Sequence, residues 1–265
     1  MSDNSDMPNI RFEGIDIHYL HRPATGGAPR QRVLYIHGTG CNALVFERHM
    51  SALSNEFEVA AIDLSGHGRS GGTGFRGVAD YAASCVAVIR ALGWEQCVVA
   101  GHSMGGGIAL AVAVYDRALV SGLMLIDTGA RLRVAPAIID LARNIAAGRT
   151  AAKASPRQGF AASTPDSVVE CIRALTDGCD ANVIAKDWIA DDTCDFMSRL
   201  PTLDLPAIAI CGREDELTPL KYHEYLEANL PKCRLAVIDH AAHWPYAEQP
   251  EIFDELVRDF LTNMD

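Results

Sequence analysis

The sequence lacks any run of about 18 apolar residues, the length a helix needs to cross a bilayer. Its best candidate, Gly107 to Tyr115, is half that length and follows a turn motif, which marks it as a buried helix. Positive charge is also short: Lys and Arg number 23 against 34 Asp and Glu, a net −11 at pH 7. A chain of that sign is a poor match for a nucleic-acid backbone or an anionic membrane, and neither is expected as a partner. The opening residues, MSDNSDMPNI, have no basic n-region and no apolar h-region, so no secretory signal is expected and a cytoplasmic location is. The eight cysteines, at 41, 85, 97, 171, 179, 194, 211 and 233, include no CxxC pair and no metal-ligand spacing with a histidine. Reduced thiols behaving as small hydrophobes are expected, with no disulfide framework and no metal. No cofactor motif, repeat or low-complexity linker is visible, and nothing fixes an oligomeric state.

What is present is an ordinary globular balance, 49% hydrophobic and 22% charged, in 265 residues. That length fits one large domain or one domain carrying an insertion. Asn9–Glu13 and Ile15–Leu20 alternate around Glu13-Gly14, a hairpin signal. Short apolar runs then alternate with helical patterns. Strands are expected at Val33–His37, Val59–Asp63, Cys97–Ala100 and Val120–Ile126, with helices at Ala43–Leu53, Val78–Leu92 and Met104–Tyr115. Strands apolar throughout suit a parallel sheet covered on both faces, and the alternation means βαβ units.

From Arg131 to Leu200 no strand-like run occurs. Helices are expected at Ala135–Ala147, after Thr164-Pro165 with Thr164 as N-cap, and after Asp180 with Val183, Ile184 and Trp188 on it. The rhythm resumes with strands Ala207–Cys211 and Leu235–Ile238 and helices Leu220–Leu230 and Ile252–Leu261. A helical insertion, 131–200, therefore interrupts one sheet built from 1–130 and 201–265.

Gly101-His102-Ser103-Met104-Gly105 fits G-x-S-x-G between an apolar strand and an apolar helix. A sharp strand-to-helix turn thrusts a serine oxygen above the sheet, and the glycines keep that turn free of side chains. Ser103 is the candidate nucleophile, and the amide of Met104, at the helix N-terminus, a candidate oxyanion donor. Such a serine needs a base and the base an orienting acid, in the chain order Ser, acid, His. Of nine histidines, His243 is favoured as base over His240, which directly adjoins a strand and reads as a structural hydrogen-bonder. Asp215, after strand Ala207–Cys211, is the favoured acid. Glu214 beside it could simply be solvated, and Asp127, ending Val120–Ile126, is a rival acid or a tie for the start of the insertion. The second oxyanion donor is expected from His37-Gly38-Thr39-Gly40: the amide of Thr39, with Gly40 as fallback. Gly38, Gly40, Trp188 and Trp244 are candidate substrate contacts. Phe160, Trp188 and Phe196 point to an apolar acyl or alcohol pocket, and the helices of the insertion present no Arg or Lys cluster that would suit a phosphate or coenzyme A.

With HGTG at His37–Gly40, DLSGHGRS at Asp63–Ser70, GHSMGG from Gly101, GREDELTP at Gly212–Pro219 and HAAHWPYAEQP at His240–Pro250, the chain resembles the α/β-hydrolase superfamily over nearly its whole length after Ile10. The resemblance implies an α/β fold with an eight-stranded, mostly parallel sheet, a helical cap inserted after the sixth strand, and a Ser103–Asp215–His243 triad. Serine at 103 argues against dehalogenases and epoxide hydrolases, which the resemblance would give an aspartate there. The S-G-H-G loop is similar to those of esterases and enol-lactonases. The expected activity is hydrolysis of small to medium apolar carboxylic esters, lactones included, with a small-molecule ester as partner and no cofactor. The alternatives are carbon–carbon hydrolysis of a diketone and a slow-turnover small-molecule receptor.

Overall fold

The structure, a computed structural model, describes residues 8–151 and 157–264. The hairpin comes first, as strands β1 (Asn9–Phe12) and β2 (Ile15–Arg22). Next follow β3 (Arg32–Ile36), a 3₁₀ turn at Ala43–Phe46, α1 (Glu47–Leu53) and β4 (Glu58–Ile62). The chain continues through α2 (Val78–Ala91), β5 (Cys97–His102), α3 (Met104–Tyr115) and β6 (Val120–Ile126). Three helices then intervene, α4 (Pro136–Ala146), α5 (Asp166–Thr176) and α6 (Ala181–Thr193). The C-terminal part is β7 (Ala207–Gly212), α7 (Leu220–Asn229), β8 (Cys233–Ile238), α8 (Pro245–Glu248) and α9 (Pro250–Thr262).

All eight strands form one sheet in the order β1-β2-β4-β3-β5-β6-β7-β8. The β1–β2 and β2–β4 pairs are antiparallel and every other pair is parallel. Alternate residues of each central strand enter opposite cores. Leu34 and Ile36 of β3 join the face covered by α2 and α3, whereas Val33 and Tyr35 join the face covered by α1 and α9. Burial on both faces explains why the central strands read as unbroken apolar runs. Each Val, Leu, Ile or Phe fully buried this way contributes about 1.5–3 kcal/mol.

The order reverses between β3 and β5, which run side by side while their crossovers lead to opposite directions along the sheet. In open α/β sheets, ligands settle outside the carboxyl ends of the strands at such a point. The carboxyl ends of β3, β5, β6, β7 and β8 deliver His37-Gly38, Ser103, Asp127, the Asp215 loop and the His243 loop to that one edge.

The insert between β6 and β7 is closed at its base. Arg131 bridges Asp195, Leu132 N donates to Cys194 O (3.3 Å) and Phe196 N to Ala130 O (2.7 Å). Three expectations are corrected here. Thr164 does not cap α5: its hydroxyl is drawn away to Glu248 Oε2, and Pro165 precedes the first helical residue, Asp166. Phe196 does not face a pocket, since it is 6% exposed and packs in the core with Leu200. His240 is exposed, at φ +59, and among the described residues its ring makes no hydrogen bond; its carbonyl accepts Gln249 Nε2 at 3.1 Å. The expectation for Asp180 is met: its Oδ1 accepts the Asn182 amide at 2.7 Å and caps α6.

Candidate active site

Ser103 sits between the last residue of β5 and the first of α3, at φ +55 and ψ −123. A non-glycine residue at positive φ is strained, and such strain persists only where the surroundings over-determine it. They do so here through sterics. A Cβ on Gly101 would lie 2.0 Å from Gly105 O, and one on Gly105 would lie 2.2 Å from Ile36 O of β3. The first glycine thus clears the turn itself, and the second lets α3 press against the neighbouring strand. The Ser103 carbonyl accepts from Gly106 N (2.9 Å) and Thr128 Oγ1 (2.7 Å), which fixes the turn from both sides. Ser103 remains partly exposed, and its hydroxyl forms no hydrogen bond among the described residues.

His243 Nδ1 donates to Asp215 Oδ2 at 2.8 Å, both side chains being buried. Asp215 is saturated: Thr218 Oγ1 donates to Oδ2 (2.6 Å), and the amides of Leu217 (2.8 Å) and Thr218 (3.2 Å) donate to Oδ1. Burial alone would raise this carboxyl, but the charge and hydrogen bond of His243, then the Thr218 and Leu217 donors, hold it well below the usual range. A buried carboxylate so held fixes which imidazole nitrogen carries the proton.

His243 is placed by its neighbours. His102 Nε2 donates to His243 O at 2.7 Å, and the two rings lie 4.8 Å apart. His243 N donates to Gly159 O of the insert at 3.0 Å. Glu248 Oε1 accepts the amides on either side of the base, Ala242 N (2.9 Å) and Trp244 N (3.1 Å), while Oε2 takes Ala161 N (2.8 Å) and the Thr164 hydroxyl. Trp244 stacks on Phe160 with centroids 5.9 Å apart. Both are half-buried, as is Trp188 on α6.

The rival acid stands close by but differently occupied. Asp127, Asp215 and His243 each bring an atom within one 4.8 Å cluster. Asp127 is fully buried at φ +40; Oδ1 accepts from Gly212 N (2.9 Å) and Oδ2 has no partner. Burial, then the charge of Asp215, push its carboxyl well above the usual range. It therefore ties β6 to β7, not to the insert. A second group, Asp127 with Cys211 and His223, is also compact. There His223 Nε2 is already used by Thr128 N at 3.0 Å, and in the first cluster acid and imidazole are engaged with each other. Glu214 is exposed, as expected, and its Oε2 also accepts Ala162 N at 3.1 Å.

In the first loop, Gly38 closely adjoins the elbow: a Cβ there would lie 2.9 Å from Ser103 Cβ. The Gly40 amide is taken by Asp187 Oδ2 (3.1 Å), which removes it as the fallback donor and leaves Thr39. The hydroxyl of Thr39 donates to Asp191 Oδ2 at 3.0 Å.

A family model for the Alpha/beta hydrolase family matches residues 33–256. The chain belongs to the alpha/beta hydrolase family. This alpha/beta hydrolase is 31% identical over 246 residues to the pimeloyl-[acyl-carrier protein] methyl ester esterase of Neisseria meningitidis, covering 87% of this chain and 77% of that one. Among solved structures it is similar to an enol-lactonase from Burkholderia xenovorans LB400, with a TM-score of 0.87 at 23% identity over 97% of this chain and 100% of the other. A thermophilic esterase from Thermogutta terrifontis gives 0.86 at 24% identity over 97% and 98%. At those identities the two structures establish the fold. Among the described residues of this hydrolase no helix is long and apolar enough to cross a membrane.

Sequence reasoning missed Glu248, Asp187, Asp191, His67 and Thr128. Two of them carried a usable signal. Asp187 and Asp191 lie four apart on a helix whose other inward residues are apolar, so they share its buried face.

Proposed function

We propose that this chain is a serine hydrolase that cleaves carboxylic esters of small to medium apolar substrates, lactones included, through an acyl-enzyme. Ser103 attacks the acyl carbonyl and His243 takes its proton. Asp215 holds the imidazole tautomer and stabilises the imidazolium. The amides of Met104 and Thr39 receive the tetrahedral oxyanion. His243 then protonates the leaving alcohol, and water releases the acid by the same route. The observation that carries this reading is the buried Asp215–His243 pair, 2.8 Å apart, held by His102 beside the strained Ser103 turn. In the proposed division, residues 1–130 and 201–265 form the catalytic core and 131–200 a helical cap that shapes the pocket, with Trp188, Trp244 and Phe160 at its wall.

A second reading of the substrate rests on charge. The insertion 131–200 as a whole is neutral, with nine Lys and Arg against nine Asp and Glu, but its first half, 131–165, carries six bases against one acid, Asp140. Arg131, Arg143 and Arg157 are paired with Asp195, Asp140 and Asp166. The local excess suits an ester whose acyl group is borne by an acidic carrier protein, through steering and orientation. If so, Arg143→Glu with Arg149→Glu raises KM for the carrier-borne ester and leaves a free ester unchanged.

The test compares wild type with Ser103→Ala on short p-nitrophenyl esters, a lactone and a vinylogous diketone. Ester turnover lost in the variant supports hydrolysis at Ser103, by a factor on the order of 10⁶ where such a serine has been removed from a protease. Turnover confined to the diketone, or slow turnover with ligand-dependent thermal stabilisation, replaces the ester reading with carbon–carbon hydrolysis or a receptor.

A further inference from the structure

The loop from His37 to Cys41 holds two glycines, one of them, Gly40, at φ +68. The stretch is closed as a turn, Cys41 N donating to Gly38 O at 3.1 Å, and where that turn sits depends on what grips it. Its side-chain grip from outside the loop comes from α6. Asp187 and Asp191 lie one helical turn apart and reach the same loop. Asp187 Oδ2 accepts Gly40 N (3.1 Å), and Asp191 Oδ2 accepts Thr39 Oγ1 (3.0 Å). Ile184 covers Gly40 from the same helix, where a Cβ would meet Ile184 Cγ1 at 3.3 Å. The side chain of Thr39 and the amide that follows it are thus both fastened to the insert, while the amide of Thr39 itself stays free of either carboxyl.

The anchor is itself fixed. His67 Nε2 lies 2.8 Å from Asp187 Oδ2, and its Nδ1 lies 3.1 Å from Ser65 O. Both ring nitrogens face acceptors, so both carry protons and the ring is an imidazolium. Burial opposes that charge, but the hydrogen bond and charge of Asp187, with Cys179, raise His67 to about 10. Tyr81 OH donates to Asp187 Oδ1 at 2.7 Å. His37, 4.9 Å away ring to ring, donates from Nδ1 to Gly38 O (2.8 Å) and accepts Leu64 N at Nε2 (3.1 Å), which requires the neutral form. Asp191 Oδ1 is buried without a partner, and burial raises that carboxyl well above the usual range. Buried ion pairs and orphan carboxyl oxygens are weak sources of stability, so packing alone does not explain this cluster.

We infer that α6 sets the Thr39 amide for the oxyanion, with Asp187 and Asp191 as positioning residues for the ester hydrolysis proposed above, on which this inference rests. The insert then contributes to the chemical step as well as to the pocket. One oxyanion donor is worth about 10²–10³ in rate, and a displacement of about 1 Å costs up to 10². A disturbed anchor therefore lowers kcat and spares KM.

The experiment measures kcat and KM for a p-nitrophenyl ester, and inhibition by a trifluoromethyl ketone whose serine adduct bears the oxyanion, in Asp191→Leu, Asp191→Asn, Thr39→Val and the Thr39→Val/Asp191→Leu double variant. The expected result for Asp191→Leu and for Thr39→Val is a kcat loss of about 10–100-fold with KM within about 3-fold. Inhibitor affinity should fall by the same factor. The double variant should be no worse than either single one, since both break one link, and Asp191→Asn, which keeps an acceptor, should restore most of the loss. Independent, additive losses overturn the inference, as does a loss confined to KM. So does a fall in thermal stability with unaltered kcat and inhibitor affinity. Thr39→Val keeps the test decisive if Asp191→Leu does not fold. A wild type with no Ser103-dependent ester turnover overturns the hydrolase reading, a different outcome from any of these.

Discussion

His102 donates from Nε2 to the backbone carbonyl of His243 at 2.7 Å, so the residue next to the elbow serine holds the chain of the histidine that sits 141 positions later. Burial, then the neighbouring imidazole of His243, keep His102 neutral and well below its usual pKa. Its work is structural and not protonic. In His102→Phe the carbonyl loses its donor inside the protein, a cost of about 1–3 kcal/mol. The expected outcome is a lower melting temperature together with a fall in kcat, read from thermal melts and ester kinetics on the same preparation.

Asp215 and Asp127 share one cluster but carry different loads. Asp215→Asn should lower kcat by about 10⁴, the cost of the wrong imidazole tautomer in a serine protease. Asp127→Asn replaces a carboxyl whose charged form burial disfavours with an amide of like shape and should stay within about 10-fold of wild type. Side-by-side kinetics decide the acid, and a larger loss in Asp127→Asn would reverse the assignment.

Glu248 accepts four donors around the base. Glu248→Ala leaves the buried amides of Ala242 and Ala161 without partners, at about 1–3 kcal/mol each, and frees the part-buried amide of Trp244. A large drop in melting temperature is expected, with weaker turnover at temperatures where the variant is still folded. Glu248→Gln retains one carbonyl oxygen and should fall between the two.

Stability should decline above about pH 6.5, while on the acid side opposing groups leave it nearly level. Burial, with the cationic His67 beside His37, lowers the folded pKa of His37 to about 4, and burial does the same for His223. Below about pH 6.5 the unfolded chain takes up these protons and the native chain does not, a loss on the order of 3 kcal/mol per group, but the buried carboxyls of Asp127 and Asp191, both raised, hold protons that the unfolded chain releases above about pH 4 and oppose it over the same range. His67 runs the other way. With a folded pKa of about 10, its contribution is complete below pH 6.5 and is lost as pH rises toward 10. Asp215, held low, adds stability above its unfolded pKa that disappears only in stronger acid. Denaturant unfolding across pH 4–10 checks this, and a curve that kept rising above pH 7 would contradict the His67 assignment.

Phe160→Ala removes the ring stacked on Trp244 and should raise KM for esters with larger acyl groups by several-fold, with acetate esters little changed. The measurement is kcat/KM over a chain-length series.

The sequence by itself determined the order of strands and helices, the interruption of the sheet and the turn that carries Ser103. These depend on local properties: a fully buried parallel strand is apolar throughout, and the turn at 103 admits no side chain at Gly101 or Gly105. Helix ends were legible where a cap is local, as at Asp180, and misread at Thr164, whose hydroxyl had a remote partner in Glu248. Only the tertiary structure decided that Asp127 joins β6 to β7, that Gly40 N belongs to Asp187, and that Glu248 and His102 hold the loop of His243. Each of these is a hydrogen bond between groups far apart in sequence. A polar side chain carries no mark of its distant partner, and burial, which forces the pairing, appears only once the chain has closed around it.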